Sequence, residues 1–287
     1  QRIGEKMLEQ NRDKFIAEML CIADTDWVLG HWYIKVMLNG RSLTDCTAFA
    51  GMAQDTLGHA RALFRFLEDE MDLPEHQLEF GRGPSQIHDM EMLSAPPENW
   101  GDFLITTFIA EGAIWQMLNT FRASVHPGVA GMVTHFGKEL YFHRLGLEGW
   151  LKSATDEAKQ DMRDAMQTRL PTALRWFDDQ ARSDSDDLRS SGIRSSSVAE
   201  AKMAFIETTI SKLMAALDMD DTSSITPIEQ VDWDALRRKT RGSELPATLW
   251  EFMIPTDEDT VILRRPLAVS VDDNLDLFDR EEYSQDD

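Results

Sequence analysis

Two stretches of the sequence end in a histidine with a carboxylate four residues earlier: Gln54-Asp55-Thr56-Leu57-Gly58-His59 and Lys138-Glu139-Leu140-Tyr141-Phe142-His143. Residues three or four apart share a helix face, so Asp55 can point with His59, and Glu139 with His143. A further carboxylate, Glu111, sits in the apolar run Phe108-Ile109-Ala110-Glu111-Gly112-Ala113-Ile114-Trp115. Buried there, it needs a partner, a proton or a metal. Di-iron carboxylate bundles use one Glu from each of two helices and a Glu-x-x-His from each of two others, because bridged irons need several oxygens and two imidazoles converging inside the bundle. The histidines here stand where such motifs would have them, but the residues three before them are Thr56 and Leu140. Leucine cannot bind a metal, and a threonine hydroxyl is a poor substitute for a bridging carboxylate.

Besides a working di-iron pair on this reduced ligand set, two readings of these residues stay open. His59, Glu111 and His143 are the candidate metal residues, since two histidines and one carboxylate make the facial arrangement that holds non-haem Fe(II), with Asp26 or Asp55 supplying further oxygens. The same three can instead be the vestige of a metal site, buried imidazoles paired with Asp55, Glu111 or Glu139 in a polar network that specifies the core. Asp26, Asp55 and Glu139 are in either case candidates for that network, the latter two accepting from a histidine N–H and fixing its ring. No catalytic residue is assigned. His31, His76, His88, His126 and His135 lack a partner at ligand spacing and read as surface or loop histidines.

Apolar residues from about Asp13 to about Leu217 recur at helical spacing, with few alternating runs that would announce strands. The pattern predicts helices near residues 13 to 38, 43 to 71, 100 to 125, 128 to 152, 157 to 181 and 197 to 217. Pro127 suits a first helical turn, and Ser197 with Glu200 makes a capping box. Asp72 to Asn99 holds four prolines and two glycines and reads as a long connection across the end of a bundle. Asp178 to Asp187, with five aspartates, and Arg189 to Ser197 read as a solvated loop. Beyond Met219, prolines punctuate short apolar pieces anchored by Val231-Asp232-Trp233 and Leu249-Trp250-Glu251-Phe252, a tail expected to wrap the bundle or a partner. From Asp257 onward it carries 11 acidic and 3 basic residues, a solvated terminus or a segment that docks on a basic partner.

The chain has 287 residues, 42% of them hydrophobic, which supports an ordinary core. Its 51 acidic and 29 basic side chains give a net charge of −22, which opposes binding to nucleic acid or an anionic membrane. Two cysteines are too few for a disulfide framework, nothing has the pattern of a secretory signal, and no run is long and apolar enough to span a bilayer, so a cytoplasmic location is expected.

These residues resemble the ferritin-like subunits of the bacterial multicomponent phenylacetyl-CoA epoxidase. The resemblance runs from about Ile22 to about Asp179 on Ala23-Asp24-Thr25-Asp26-Trp27-Val28-Leu29-Gly30, Gln54 through Arg61, Phe108 through Trp115, and Lys138 through Arg144. It implies a family with an iron-bearing catalytic subunit and a homologous structural subunit that has lost its ligands. Val28-Leu29-Gly30 and Leu57-Gly58-His59-Ala60-Arg61 are more like the structural subunit, while the two histidines and Val231-Asp232-Trp233 are more like the catalytic one. Carried over by position, the metal ligands fall near Trp27 and on Thr56, His59, Glu111, Leu140 and His143.

The fold implied is an all-α, ferritin-like helical bundle with a long crossover and an irregular acidic C-terminal tail, residues 1–218 forming the bundle and 219–287 the extension. The role implied is the structural, degenerate di-iron subunit of an aromatic-ring or aryl-CoA oxygenase, with no cofactor expected in this chain. The alternative is an iron-dependent oxygenase in its own right with an altered ligand set; a blander one is a stand-alone binding protein with a hydrophobic pocket in the bundle. The resemblance implies as partners a homologous catalytic subunit and a reductase, with aryl-CoA as substrate of the whole complex and self-association the other arrangement open. Arg61 and Arg144 are the candidates for an interface or a CoA phosphate, although the acidic chain favours pairing with a buried carboxylate.

Overall fold

Helix starts are set by short polar side chains that satisfy otherwise unbonded backbone N–H groups. In the computed structural model, which describes residues 2–177, 187–219 and 232–254, the Ser42 hydroxyl accepts from the Asp45 N–H at 3.1 Å and the Asn99 side chain from Asp102 at 2.8 Å. Ser197 and Glu200 form the expected reciprocal capping box, and Pro127 opens its helix. The order of elements is α1 (Arg2–Gln10), α2 (Arg12–Val36), α3 (Leu43–Glu70), α4 (Gln77–Phe80), α5 (Trp100–Asn119), α6 (Pro127–Lys152), α7 (Asp156–Phe177), α8 (Asp187–Ser190) and α9 (Val198–Phe205). A π-helical turn (Ile206–Ile210), α10 (Ser211–Ala216), strands β1 (Trp233–Asp234) and β2 (Lys239–Thr240), and α11 (Ala247–Met253) follow.

The protein is an all-α, ferritin-like bundle. The long helices α2 and α3 pack side by side, α5 contacts α2 and α6, and α6 closes against α3. α5 is apolar all round and buried along nearly its whole length, as a central helix must be, with α7 and α9 covering its other side. Gly30 lets α2 and α3 approach: a Cβ there would lie 2.6 Å from the Leu57 side chain. Among the described residues, those up to Leu245 fall in one compact unit and Pro246–Ile254 in another.

Several expectations are corrected. An additional helix, α1, precedes α2, separated from it at Asn11, whose side chain turns back to the Met7 carbonyl at 2.9 Å. The helix expected to reach residue 125 ends at Asn119, because Thr120 and Phe121 turn back tightly onto the Met117 and Leu118 carbonyls. The helix expected over 197 to 217 widens into the π-helical turn at its middle. The segment after Arg189 is not a solvated loop: Ile193 and Arg194 are buried, and Arg194 pairs with Glu18. Asp178 to Asp186 and the acidic stretch from Asp257 lie outside the described residues.

The long connection between α3 and α5 is fastened by arginines. Arg169 of α7 forks onto Asp102 at 2.7 and 2.6 Å and donates to the carbonyls of Met92, Ala95 and Pro96. Arg82 grips Asp24 of α2 at 2.8 and 2.5 Å. Beyond Met219, the β1–β2 hairpin drives two cations inward: Arg238 meets both oxygens of Glu18 at 2.8 Å, and Lys239 meets Asp89 at 2.7 Å. All four of these side chains are buried.

Candidate functional site

Four helices deliver the polar groups of the interior. Asp26 and Tyr33 come from α2, Asp55, Thr56 and His59 from α3, Glu111 from α5, and Glu139, Leu140 and His143 from α6. The two histidine motifs lie on facing helices, and their pairings cross. His143 Nε2 lies 3.2 Å from Asp55 on α3, and His59 Nε2 lies 2.6 Å from Glu139 on α6. A carboxylate and a histidine four apart share the face turned to the neighbouring helix, so each reaches across instead of along its own helix.

A second chain of bonds crosses the first. Tyr33 Oη donates to Glu111 Oε1 at 2.5 Å, and His143 Nδ1 approaches the same oxygen at 2.9 Å. Both ring nitrogens of His143 thus face carboxylates, an arrangement that requires both to carry protons. Burial opposes the imidazolium, but Glu111 and Asp55 outweigh it and push the His143 pKa up to about 9. His59 goes the other way, lowered chiefly by burial against the pull of Glu139. With Nε2 donating to Glu139, the lone pair of His59 sits on Nδ1, buried and without a hydrogen-bond partner.

Asp26 is 1% exposed, and neither of its oxygens has a hydrogen-bond partner. Burial first, and the charge of Glu111 second, hold its carboxyl well above the usual carboxylate range. The Thr56 hydroxyl is likewise buried and unbonded. Tyr33 did not stand out in the sequence, although it lies seven residues after Asp26, two helical turns along the same face. Arg61 pairs with Glu79 at 2.7 Å, and Arg144 donates to Glu148 at 3.2 Å and to the Thr208 carbonyl at 3.0 Å.

At the positions where the resemblance would put iron ligands, Leu140 is a buried apolar side chain and Thr56 offers a bare hydroxyl, and Trp27, near the remaining one, is buried and apolar as well. His143 has no lone pair free while both nitrogens serve carboxylates, and one oxygen of Glu111 is shared between two donors. Among the described residues, no group of three or more His, Cys, Asp or Glu side chains converges on a metal position. This donor set does not fit a carboxylate-bridged pair of irons.

A ferritin-like bundle with a hydrogen-bonded histidine–carboxylate core where a metal pair would stand defines the class. The chain belongs to the family of phenylacetic acid catabolic proteins, whose sequence profile matches residues 3–227. A search of curated proteins returns no match. Among the described residues, no helix is long and apolar enough to cross a membrane.

Proposed function

We propose that this chain is the structural subunit of a multicomponent oxygenase acting on an aryl-CoA or similar aromatic substrate, with the iron held by a homologous catalytic subunit and electrons supplied by a reductase. The observation that carries this reading is His143, bonded through both nitrogens to Glu111 and Asp55, beside a leucine at position 140 where a bridging carboxylate belongs. In this role His59, Glu111 and His143 are the vestige of a metal site, and with Asp55 and Glu139 they clamp α3, α5 and α6 together. An exposed apolar face on α6, Tyr141 at 58% and Phe142 at 68% with Leu145 beside them, supports docking of a helical partner.

A second reading, an iron-dependent oxygenase with an altered ligand set, is favoured by two features: the unbonded oxygens of Asp26 and the free Nδ1 of His59. Metal analysis of protein expressed with iron available separates the two. Iron well below one ion per chain, with His59→Ala and His143→Ala lowering stability more than the activity of the assembled complex, is expected of the structural subunit. Stoichiometric iron that disappears in His59→Ala overturns it in favour of the second reading.

A further inference from the structure

A cleft of about 580 Å³ runs along α7, between that helix, the start of α5 and the connection leading into it. Asp161, Asp164, Thr168, Thr172 and Arg175 recur on one face of α7 at helical spacing and line it, so at about 1.5 Å per residue the trough is about 20 Å long. Glu98 and Asn99 stand at the α5 end, with Ala95 and Pro96 exposed at the rim. Gly101 lets the two helices meet there. A Cβ on it would lie 2.7 Å from the Asp161 Cβ, which fixes Asp161 beside the first turn of α5.

The cations of the lining are spent. A guanidinium has five N–H donors. Those of Arg169 make five hydrogen bonds, two to Asp102 and three to the carbonyls of Met92, Ala95 and Pro96. Arg175 faces Glu91 at 3.6 Å and stacks on the Trp233 ring at 4.5 Å. At the start of α5, Asn99 accepts from the Asp102 N–H at 2.8 Å, and Asp102 accepts from the Glu98 N–H at 2.9 Å. An anion therefore finds no uncommitted cation in the cleft. Glu98, Asp161 and Asp164 remain, three carboxylates that pair with no cation among the described residues, Asp164 accepting only from Gln160 at 2.9 Å.

These three do not converge on a point: among the described residues, no group of three or more such side chains could hold a metal ion. Asp161 and Asp164 stand instead almost one helical turn apart, about 4.5 Å along the axis. Separated negative charges beside methyl and hydroxyl walls suit separated positive charges on a flexible apolar chain. The net charge of −22 raises the local concentration of any cation. We propose that this cleft binds a linear polyamine, its ammonium groups against Glu98, Asp161 and Asp164 and its methylenes over Ala95, Pro96 and Ala165. The site does not depend on the subunit role proposed above, since it uses neither the histidine core nor a partner chain.

Calorimetric titration of the full chain with spermidine, in about 0.05 M salt to limit screening, tests this. Saturable binding of one spermidine per chain is expected, weakened about fivefold or more by Asp161→Asn with Asp164→Asn. Thr168→Trp, at an exposed position, should weaken it as well by obstructing the trough without altering charge. Asp13→Asn with Glu75→Gln, which removes two exposed acids elsewhere, should leave the affinity unchanged. Absence of saturable binding overturns the proposal. So does an equal loss in the Asp13 and Glu75 pair, full affinity in Thr168→Trp, or displacement of spermidine by magnesium at equal concentration, each of which assigns the attraction to the charge of the whole surface.

Discussion

At His143, two carboxylates win against burial, and the outcome fixes a pH dependence. A histidine whose folded pKa exceeds its unfolded value stabilises the fold fully below about 6.5 and loses that contribution as the pH climbs to about 9. His143→Ala leaves Glu111 buried beside Tyr33 without its cation, a loss on the order of 3 kcal/mol near neutral pH. Urea denaturation at about pH 6 and about pH 10 should show the gap between variant and parent narrowing at the higher pH. Asp26 shifts stability with pH in the same direction, but from a lower starting pH. An acid whose folded pKa is raised supports the fold at low pH and burdens it as the pH rises past the ordinary 3.8. Asp26→Asn is expected to be more stable than the parent at about pH 8, by about 1 kcal/mol or more, with the difference closing toward about pH 4. Thermal melts across that range check it. The residue types of this core were legible in sequence because carboxylate and histidine at four-residue spacing are conspicuous. Which carboxylate meets which histidine was not, because spacing along one helix says which face a side chain shares, and the facing helix decides what it meets.

At the scale of elements, helical periodicity, Pro127 and the Ser197–Glu200 capping box locate most of the bundle, because those signals act within a few residues. α1 escaped because its nine residues precede the sustained apolar pattern, and the early end of α5 because the turn at Thr120 is made by backbone bonds that leave no compositional mark. The close approach of α2 and α3 is likewise a property of two elements together. Gly30→Ala should cost about 1 to 3 kcal/mol, since its Cβ would lie 2.6 Å from Leu57 and the helices must part or the leucine leave its rotamer. Urea denaturation of Gly30→Ala beside Gly51→Ala, where a Cβ meets nothing within 4 Å, isolates that contact from helix propensity. Gly51→Ala should be neutral or mildly stabilising.

Over the whole molecule, the bundle is completed by residues far beyond its last long helix. The anchors foreseen in the tail were Val231-Asp232-Trp233 and Leu249-Trp250-Glu251-Phe252, yet the deepest contacts among the described residues there are Arg238 with Glu18 and Lys239 with Asp89. Composition hid them, because a buried lysine is identical in sequence to a solvated one. Lys239→Met leaves Asp89 buried and uncompensated, with an expected loss on the order of 3 kcal/mol. The double variant Asp89→Asn with Lys239→Met should recover most of it. Denaturation in about 0.1 M and about 1 M salt should give the same loss, since screening reaches exposed pairs and not enclosed ones.

That arrangement also bears on synthesis. Glu18 and Asp89 leave the ribosome long before the hairpin that neutralises them. Arg194 reaches Glu18 earlier, but Asp89 meets Lys239 only after 150 further residues have been made. Helices can form while the chain grows, but the carboxylate of Asp89 resists enclosure until its lysine arrives. That side of the bundle therefore seals only after the hairpin carrying Lys239 has been made.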